Sequence, residues 1–428
     1  MLLRLAGVLF ISVGLYAQSP DISAAAPAVP SAAQAGPNFN AEAATRAYLD
    51  TLGTERKAHS DSYFEGGYWL ILWDFLYGVA ISLILLATKL SAKMRDRAEK
   101  ITKHPPLIIF LYWVQYLIAA SILGAPLAIH EGFLREKQYQ LMNQTFSAWV
   151  VDQLKELAVS AVLGGLAMML LIGIVRRLPR TWHIWGAVAA TVFVIIGALI
   201  TPVFISPLFN KYQRLGAGPV RDSILRLARQ NGIPANDVYE VDASRQSNRI
   251  SANVSGFLGT ERITLNDNLL KRCSSTCVEA VMGHEMGHYV LNHIYKMILY
   301  FGVVFAVFFT VLRRLLHWAL DRWGATWELR DVTDPAILPL AALILSPLFF
   351  VFTPINNTWV RTQEYEADIF GLNTSRQPDG FAEAALLLSE YRKLEPGPVE
   401  EFLFFDHPSG RTRISSAMRW KAENQPQP

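Results

Sequence analysis

The sequence predicts a mainly α-helical fold, in which a polytopic transmembrane helical bundle carries a small α+β domain. Three observations support this class. Hydrophobic residues make up 52 % of the 428 residues and charged residues only 18 %. The apolar residues gather in blocks that can cross a bilayer core, which takes about 20 residues. Between two of these blocks, short alternating segments separated by turn residues indicate strands.

Six candidate transmembrane helices follow one another along the chain, four within residues 67–205 and two within residues 294–354. They lie at about 67 to 88, 105 to 128, 157 to 175, 183 to 205, 294 to 312 and 335 to 354. Asp74 falls near the start of the first span. An intramembrane carboxylate is costly and usually faces a polar cavity or partner. If the helix starts later, Asp74 is only interfacial, and both interpretations stay open.

The N-terminus resembles a targeting segment. In residues 1–19, Arg4 precedes a short apolar run, which is typical of a secretory signal peptide. Leu15 stands where a small residue is expected if cleavage follows Ala17, so an uncleaved signal anchor, a seventh span, is the alternative. Residues 20–66 are expected to form an extramembrane segment. Its Ala/Pro-rich part from Ala24 to Pro37 predicts an unstructured chain.

The basic residues cluster in short loops between the predicted spans and do not form one patch. The net charge is only +3. They fill three short loops: Lys89, Lys93, Arg95, Arg97, Lys100 and Lys103; Arg176, Arg177 and Arg180; Arg313, Arg314, Arg322 and Arg330. The positive-inside rule makes all three loops cytoplasmic. Alternation then puts residues 206–293 and 355–428 outside the cytoplasm, in a multi-pass protein of the plasma (inner) membrane. No basic stripe is left over for nucleic acid.

The most informative motif is His-Glu-Met-Gly-His at residues 284–288. On a helix, residues i and i+4 share one face, so His284 and His288 can direct two imidazoles at one metal ion. Glu285 then stands beside them, where it can act on a water molecule. The alternative is an ordinary amphipathic helix that happens to carry two histidines.

Several neighbours of this motif have weaker interpretations. Thr276 and Glu279 have the T-x-x-E spacing of a capping box and predict the helix start. Cys273 and Cys277 lack the second half of a four-ligand zinc pattern, so a local disulfide or two free thiols are favoured over a metal role. His293 falls five residues after His288, about 140° around a continuous helix, and is expected to point away from the metal.

Strand-like segments precede the motif. They are DVYEV at 237–241, ISANVSGFL at 250–258 and RITLND at 262–267, with a turn at Gly259-Thr260 between the last two. The free edge of this hairpin could hold an extended peptide by strand addition. Alternatively, the sheet only packs against the histidine helix. In the C-terminal part, Glu364 and Asp368 are again at i, i+4 and form a carboxylate pair on one helical face.

Ordered motifs over residues 67–420 together resemble the CAAX prenyl protease 1 family. They are LREKQYQ at 134–140, SPLFNKY at 206–212, ERITLNDNLL at 261–270, VMGHEMGH at 281–288, EYEADIFG at 364–371 and HPSGRTR at 407–413. Members of this family are membrane gluzincins, whose zinc site lies within or beside a bundle of transmembrane helices. The resemblance implies that residues 206–293 and 355–428 together form a small zinc metallopeptidase domain.

The resemblance also implies a role for single residues. One Zn2+ per chain is expected to be held by His284, His288 and Glu364, with an open position for a water from which Glu285 takes a proton. Asp368 is expected to accept the other N–H of a ligating histidine. His407 and Arg413 resemble the positions that bind the substrate carbonyl or the developing oxyanion and steady the Glu364 region. The family's Asn-Ala pair on the substrate strand reads Ser251-Ala252 here, which weakens the prediction of side-chain contacts to substrate.

The expected function is therefore that of a membrane-embedded zinc metalloendopeptidase. Its expected partners are membrane lipids and a peptide or protein substrate, which carries a lipid if the family's substrate class applies. One alternative is a quality-control protease that cuts misfolded membrane proteins. Another, from a different class, is a catalytically silent membrane scaffold that keeps zinc for structure.

Overall fold

The computed structural model describes residues 28–255 and 261–424. The expected signal peptide or signal anchor at 1–19 and the Gly259-Thr260 turn lie outside the described residues. The regular elements within the described ranges are α1 (Ala41–Asp50), α2 (Thr54–Ala87), α3 (Leu90–Ile101), α4 (Pro105–Ile129), α5 (Phe146–Arg177), α6 (Trp182–Ile200), β1 (Tyr212–Arg214), α7 (Pro219–Gln230), β2 (Val238–Val241), β3 (Ala252–Ser255), β4 (Arg262–Asn266), α8 (Asp267–Arg272), α9 (Ser275–Val290), α10 (His293–Trp323), α11 (Leu338–Ser375), α12 (Pro378–Leu388), α13 (Pro398–Phe404) and α14 (Gly410–Asn424).

Six helical segments of the described chain are long and apolar enough to cross a membrane, as predicted: they contain α2, α4, α5, α6, α10 and α11. Several extend well beyond the predicted spans. Helix α2 begins at Thr54, so Asp74 lies in the middle of a long helix, half-buried and in contact with another group. Helix α11 continues through Pro347 and Pro354 to Ser375. The same helix therefore runs from the bundle into the Glu364 motif.

The three basic loops meet at one end of the bundle. Arg95 of α3 is buried in an ion pair with Asp334, which precedes α11. The guanidinium of Arg176, at the end of α5, donates to the carbonyl of Thr333 over 3.3 Å. These contacts join loops that are far apart in sequence. The basic loops therefore lie at the same end of the bundle.

The described strands form one sheet in the order β1-β2-β4-β3. β3 and β4 pair antiparallel, with Ala252 opposite Leu265, which confirms the predicted hairpin pairing. β2 pairs with β4 in parallel, and β1 is a short strand that the sequence analysis did not predict. In this order β3 is an edge strand. The sheet therefore has the free edge that strand addition requires.

One face of the sheet is buried against α9. Ile263 and Leu265 of β4 belong to the same core as Met282 and Met286 of α9, and all four are fully buried. Alternate β4 residues point to one face of the sheet, which is why Ile263 and Leu265 share this side. The sheet therefore packs against the histidine helix. It also keeps β3 as an edge strand, so both interpretations of the hairpin are compatible with the structure.

The prediction of an unstructured chain from Ala24 to Pro37 is wrong for its described part. Ser31–Ala33 form a single 3-10 turn, and the buried carbonyl of Ala33 accepts a hydrogen bond from Lys421 Nζ over 2.7 Å. The hydroxyl of Tyr48 in α1 donates to Asp379 over 2.8 Å. The Ala/Pro-rich composition carried no signal of this packing, because its apolar partners lie in α12 and α14, far away in sequence.

Helices α9 and α11 cross at backbone contact distance. A Cβ atom added to Gly371 in α11 would lie 2.7 Å from the backbone nitrogen of His284. A Cβ added to Gly283 in α9 would lie 2.9 Å from the carbonyl oxygen of Gly371, and one added to Gly287 would lie 3.1 Å from Cα of Ala367. Only glycine leaves room for this approach.

We expect Gly371→Ala to destabilise the protein, because the new methyl group must push α9 and α11 apart. Overpacking of this kind costs about 1–3 kcal/mol. Gly173→Ala in α5 is the matched control, since a Cβ there meets nothing within 4 Å. Thermal unfolding of the detergent-solubilised variants measures the difference. Equal melting temperatures for the two variants would show that the helices can separate without cost.

Candidate metal centre

Three potential ligands converge on one point between α9 and α11. Nε2 of His284 lies 3.1 Å from Nε2 of His288. The carboxylate of Glu364 approaches both rings, with Oε2 3.3 Å from His284 Nε2 and Oε1 3.4 Å from His288 Nε2. Ligand atoms held about 2.0–2.1 Å from a tetrahedral zinc ion are about 3.3–3.4 Å apart. The three side chains therefore fit a zinc ion.

The elements explain why these side chains meet. His284 and His288 are one helical turn apart on α9, so they share a face. Glu364 comes from α11, two turns before the close contact at Gly371. His284 and Glu364 are buried, so water does not compete freely for their ligand atoms. Within the described residues, this is the one cluster that combines two histidines and a carboxylate.

Asp368 and Arg413 lie beside the candidate ligands. Oδ1 of Asp368 lies 2.8 Å from Nδ1 of His284, on the side of the ring away from the ligand cluster. A carboxylate at this nitrogen holds the N–H there and leaves Nε2 free for a cation. Arg413 donates to Glu364 Oε2 over 3.1 Å, and its Nε lies 3.1 Å from Asp368 Oδ2. The arginine thus joins the two carboxylates.

His407 also reaches the cluster. Its Nε2 lies 3.3 Å from Glu364 Oε2, and its Nδ1 lies 2.7 Å from the carboxylate of Asp406. The ring is 24 % exposed, so it borders both the ligand carboxylate and open space. This position suits a side chain that contacts a substrate beside the ligands.

The carboxyl group of Glu285 lies next to the candidate ligands. It follows His284 on α9 and is half-buried. Burial raises the pKa of its carboxyl to about 7, from an ordinary value of 4.5, and the nearby charges of His284, Glu364 and Arg413 act on it as well. A carboxyl with a pKa near the working pH can both take up and release a proton.

Ser251 and Ala252 lie at the start of the edge strand β3. The backbone N–H of Ser251 donates to Oδ1 of Asn266 over 3.1 Å, and the N–H of Asn266 donates to the carbonyl of Ser251 over 2.9 Å. Ser251 is exposed and Ala252 half-buried, and β3 packs next to α9. Asn266 was missed by the sequence analysis, although it fixes the backbone of this edge.

His293 lies outside the cluster of possible metal ligands, but it contacts one member of that cluster. The sequence analysis assumed one continuous helix, whereas α9 ends at Val290 and α10 begins at His293. Asn292 between them adopts a left-handed conformation, with φ of 58°, which turns the chain back. Nδ1 of His293 lies 2.9 Å from Nδ1 of the ligand-cluster residue His288. The residue type at position 292 was the signal available in the sequence, because asparagine tolerates the left-handed conformation.

The predicted capping box is also wrong. The N-cap of α9 is Ser274, whose Oγ accepts from the N–H of Cys277 over 3.1 Å. The carboxylate that anchors this cap is Glu383 of α12, which accepts from the N–H of Ser274 over 2.8 Å. Glu279 instead accepts from Gln377 over 2.9 Å. Serine two residues upstream and a carboxylate from another helix together outcompete the local T-x-x-E pattern.

The two cysteines are free thiols, one of the two outcomes that were favoured. Cys273 and Cys277 come close to Glu383, and the three could contact one cation. The Glu383 carboxylate, however, is already engaged by the N–H and the hydroxyl of Ser274. Its role in the described structure is to anchor the start of α9.

Comparisons with known proteins agree with this geometry. The family model described as CAAX prenyl protease N-terminal, five membrane helices, matches residues 46–211. The model of peptidase family M48 matches residues 215–421. The chain belongs to the CAAX prenyl protease 1 family.

Relatives match over most of their length. CAAX prenyl protease 1 of Saccharomyces cerevisiae is 25 % identical, over 81 % of this chain and 78 % of the yeast protein. An uncharacterized metalloprotease of Bacillus subtilis, YhfN, is 27 % identical, over 82 % of this chain and 84 % of the relative. The crystal structure of Ste24p from S. mikatae superposes with a TM-score of 0.74 at 23 % identity, over 86 % of this chain and 90 % of that chain, which shows a shared fold.

Membership in the CAAX prenyl protease 1 family makes the chain a metalloprotease, and its apolar helices make it a multi-pass integral membrane protein. Its substrates are therefore peptides or proteins. The six-span bundle with a small sheet-containing domain is the fold class that the sequence predicted.

We expect Glu364→Gln to weaken metal binding by more than about 100-fold, since it removes a charged ligand rather than a supporting contact. The control is Tyr365→Phe, because this neighbouring side chain is exposed and lies outside the ligand cluster. Metal content after dialysis against a weak chelator measures the effect. Full metal occupancy in Glu364→Gln would remove this residue from the ligand set.

Proposed function

We propose that the chain is a zinc metalloendopeptidase, with His284, His288 and Glu364 as the metal ligands and Glu285 as the general base. The observation that carries the proposal is the spacing of the three ligand atoms, 3.1 to 3.4 Å, which fits a tetrahedral zinc ion. Two imidazole nitrogens and one carboxylate also form a donor set that zinc commonly uses in catalytic sites.

The residues around the metal site have separate roles in the proposed peptide hydrolysis. A zinc ion in this site supplies Lewis acidity, which polarises a carbonyl and lowers the pKa of water. Glu285, which follows the candidate ligand His284 on α9, would take a proton from the attacking water and return it to the leaving amine. His407, beside Glu364, donates to the substrate oxygen on which negative charge develops. Arg413 holds Glu364 and Asp368 in place.

The proposed substrate is an extended peptide that pairs with the edge strand β3. Its entry point is the strand that begins at Ser251-Ala252, which packs next to α9. The name of the yeast relative favours a C-terminal CAAX-type, lipid-modified substrate. The other candidate, a quality-control protease, differs in its products, because it cuts internally in misfolded membrane proteins.

We further propose that residues 206–293 and 355–428 form one peptidase domain on the extracytoplasmic side of the plasma (inner) membrane. The support is the clustering of basic residues in loops that meet at the opposite end of the bundle.

Glu285→Gln should retain zinc and lose cleavage, because an amide cannot take the proton from water. The expected loss is about 10²–10⁴-fold in kcat. The control is Glu279→Gln, on the same helix but bonded to Gln377. Zinc content and hydrolysis of a labelled peptide are measured on the same preparation.

The same pair of proteins identifies the substrate. Peptides released in membranes by the wild type and not by Glu285→Gln should end near protein C-termini if the CAAX-type proposal holds, and should derive from internal sequence for a quality-control protease. Zinc-loaded wild type that cleaves no more than Glu285→Gln would instead favour a silent scaffold.

A topology test is independent of activity. In sealed right-side-out membrane vesicles, an added protease should remove a peptide tag placed after residue 428 and leave one inserted after Leu178 intact. Lysed vesicles, in which both tags are cut, serve as the control. Protection of the C-terminal tag would put the peptidase domain in the cytoplasm.

A further inference from the structure

The two ligand histidines have different supports on their outer ring nitrogens. Nδ1 of His284 faces the carboxylate of Asp368 at 2.8 Å. Nδ1 of His288 instead faces Nδ1 of His293 at 2.9 Å. The rings of His288 and His293 meet edge to face, with centroids 5.0 Å apart and planes at 72°. His288 is therefore supported by another imidazole.

His293 is itself held in one orientation. Only 4 % of its surface is exposed, and its Nε2 lies 3.1 Å from Oε2 of Glu366. The same carboxylate oxygen accepts from Lys296 Nζ over 2.8 Å. Glu366 lies two residues after Glu364 on α11, whereas His293 and Lys296 lie in the first turn of α10. The chain of contacts thus links α9, α10 and α11 at the site.

The protons along this chain have one consistent arrangement. A neutral imidazole carries a single N–H. If Nε2 of His288 gives its lone pair to a cation, the proton lies on Nδ1, which then donates to Nδ1 of His293. The proton of His293 consequently lies on Nε2 and is donated to Glu366. In this arrangement the N–H of each histidine points at an acceptor. With His288 bound to a cation through Nε2, no other pair of neutral tautomers makes both the His288–His293 and the His293–Glu366 hydrogen bond.

We propose that His293 is a positioning residue for the metal site, which fixes the ring and tautomer of His288, and that Glu366 positions His293 in turn. The inference rests on the proposed zinc function, since it assigns the support of one ligand. Groups that hydrogen-bond a ligating histidine typically change metal affinity about 10–100-fold when they are removed. The two ligand histidines then have separate supports. Asp368 holds His284, and His293 together with Glu366 holds His288.

The test measures zinc affinity in the full-length detergent-solubilised protein, by competition with a chromophoric chelator. His293→Leu should weaken zinc binding about 10–100-fold. His293→Gln should recover most of that loss, because its side-chain oxygen can accept from His288 and its amide can donate to Glu366. His317→Leu is the matched control, since His317 lies on the same helix and its Nδ1 contacts the carbonyl oxygen of Arg313 rather than the cluster.

A second variant guards against a folding defect. Glu366 is 43 % exposed, so Glu366→Ala should fold and still weaken zinc binding in the same direction as His293→Leu. A cobalt-loaded sample adds a signature, because a reoriented His288 ring shifts the visible absorption of Co2+, which a purely structural loss of stability would not do.

The outcomes separate this inference from the proposed function. Wild type that binds zinc and cleaves peptide, together with unchanged zinc affinity in both His293→Leu and Glu366→Ala, overturns the positioning role and leaves the peptidase intact. Equal loss in His293→Leu and His293→Gln, with an unchanged cobalt spectrum, also overturns it. Wild type that binds no zinc overturns the proposed function itself.

Discussion

The close crossing of α9 and α11 is the constraint on which the site depends. The His pair belongs to one helix and the third ligand to the other, so their separation is set by how near the two backbones can come. Gly283 and Gly371 allow that approach, since a Cβ at either position would collide with backbone atoms of the other helix. Because the segment that contains α11 is also long and apolar enough to cross a membrane, one helix runs from the bundle to Glu364. The ligand geometry is thus a property of the bundle packing.

The negative charge of two buried carboxylates at this crossing is a second constraint. Glu364 and Asp368 are both buried, and burying carboxylates is costly unless each is paired. Arg413 contacts both, and His407 lies beside Glu364, so positive and hydrogen-bonding groups surround the pair. A cation bound between His284, His288 and Glu364 would add the positive charge that two facing imidazole nitrogens lack. The cluster therefore works as a set, in which removal of one member leaves another buried charge without its partner.

Much of this could be predicted from periodicity and spacing. The six spans follow from apolar blocks of bilayer length, and the i, i+4 spacings follow from helix geometry. The errors have a common physical cause. The cap at Ser274 depends on Glu383, the order of the segment around Ala33 depends on Lys421, and the direction of His293 depends on a chain reversal at Asn292. In the first two, the partner lies 109 and 388 residues away in sequence, beyond any local pattern.

The sequence by itself determined the membrane bundle, the pair of histidines with Glu285 beside it, and the presence of a hairpin before the histidine helix. These follow from residue type and short-range spacing, which the backbone geometry of helices and strands converts directly into shared faces. Only the tertiary structure decided that Glu364 reaches His284 and His288 at ligand distance, that Arg413 joins the two carboxylates, and that His293 turns back to contact His288. Those facts depend on which helices pack together and how closely, and that is set by contacts between residues remote in the chain.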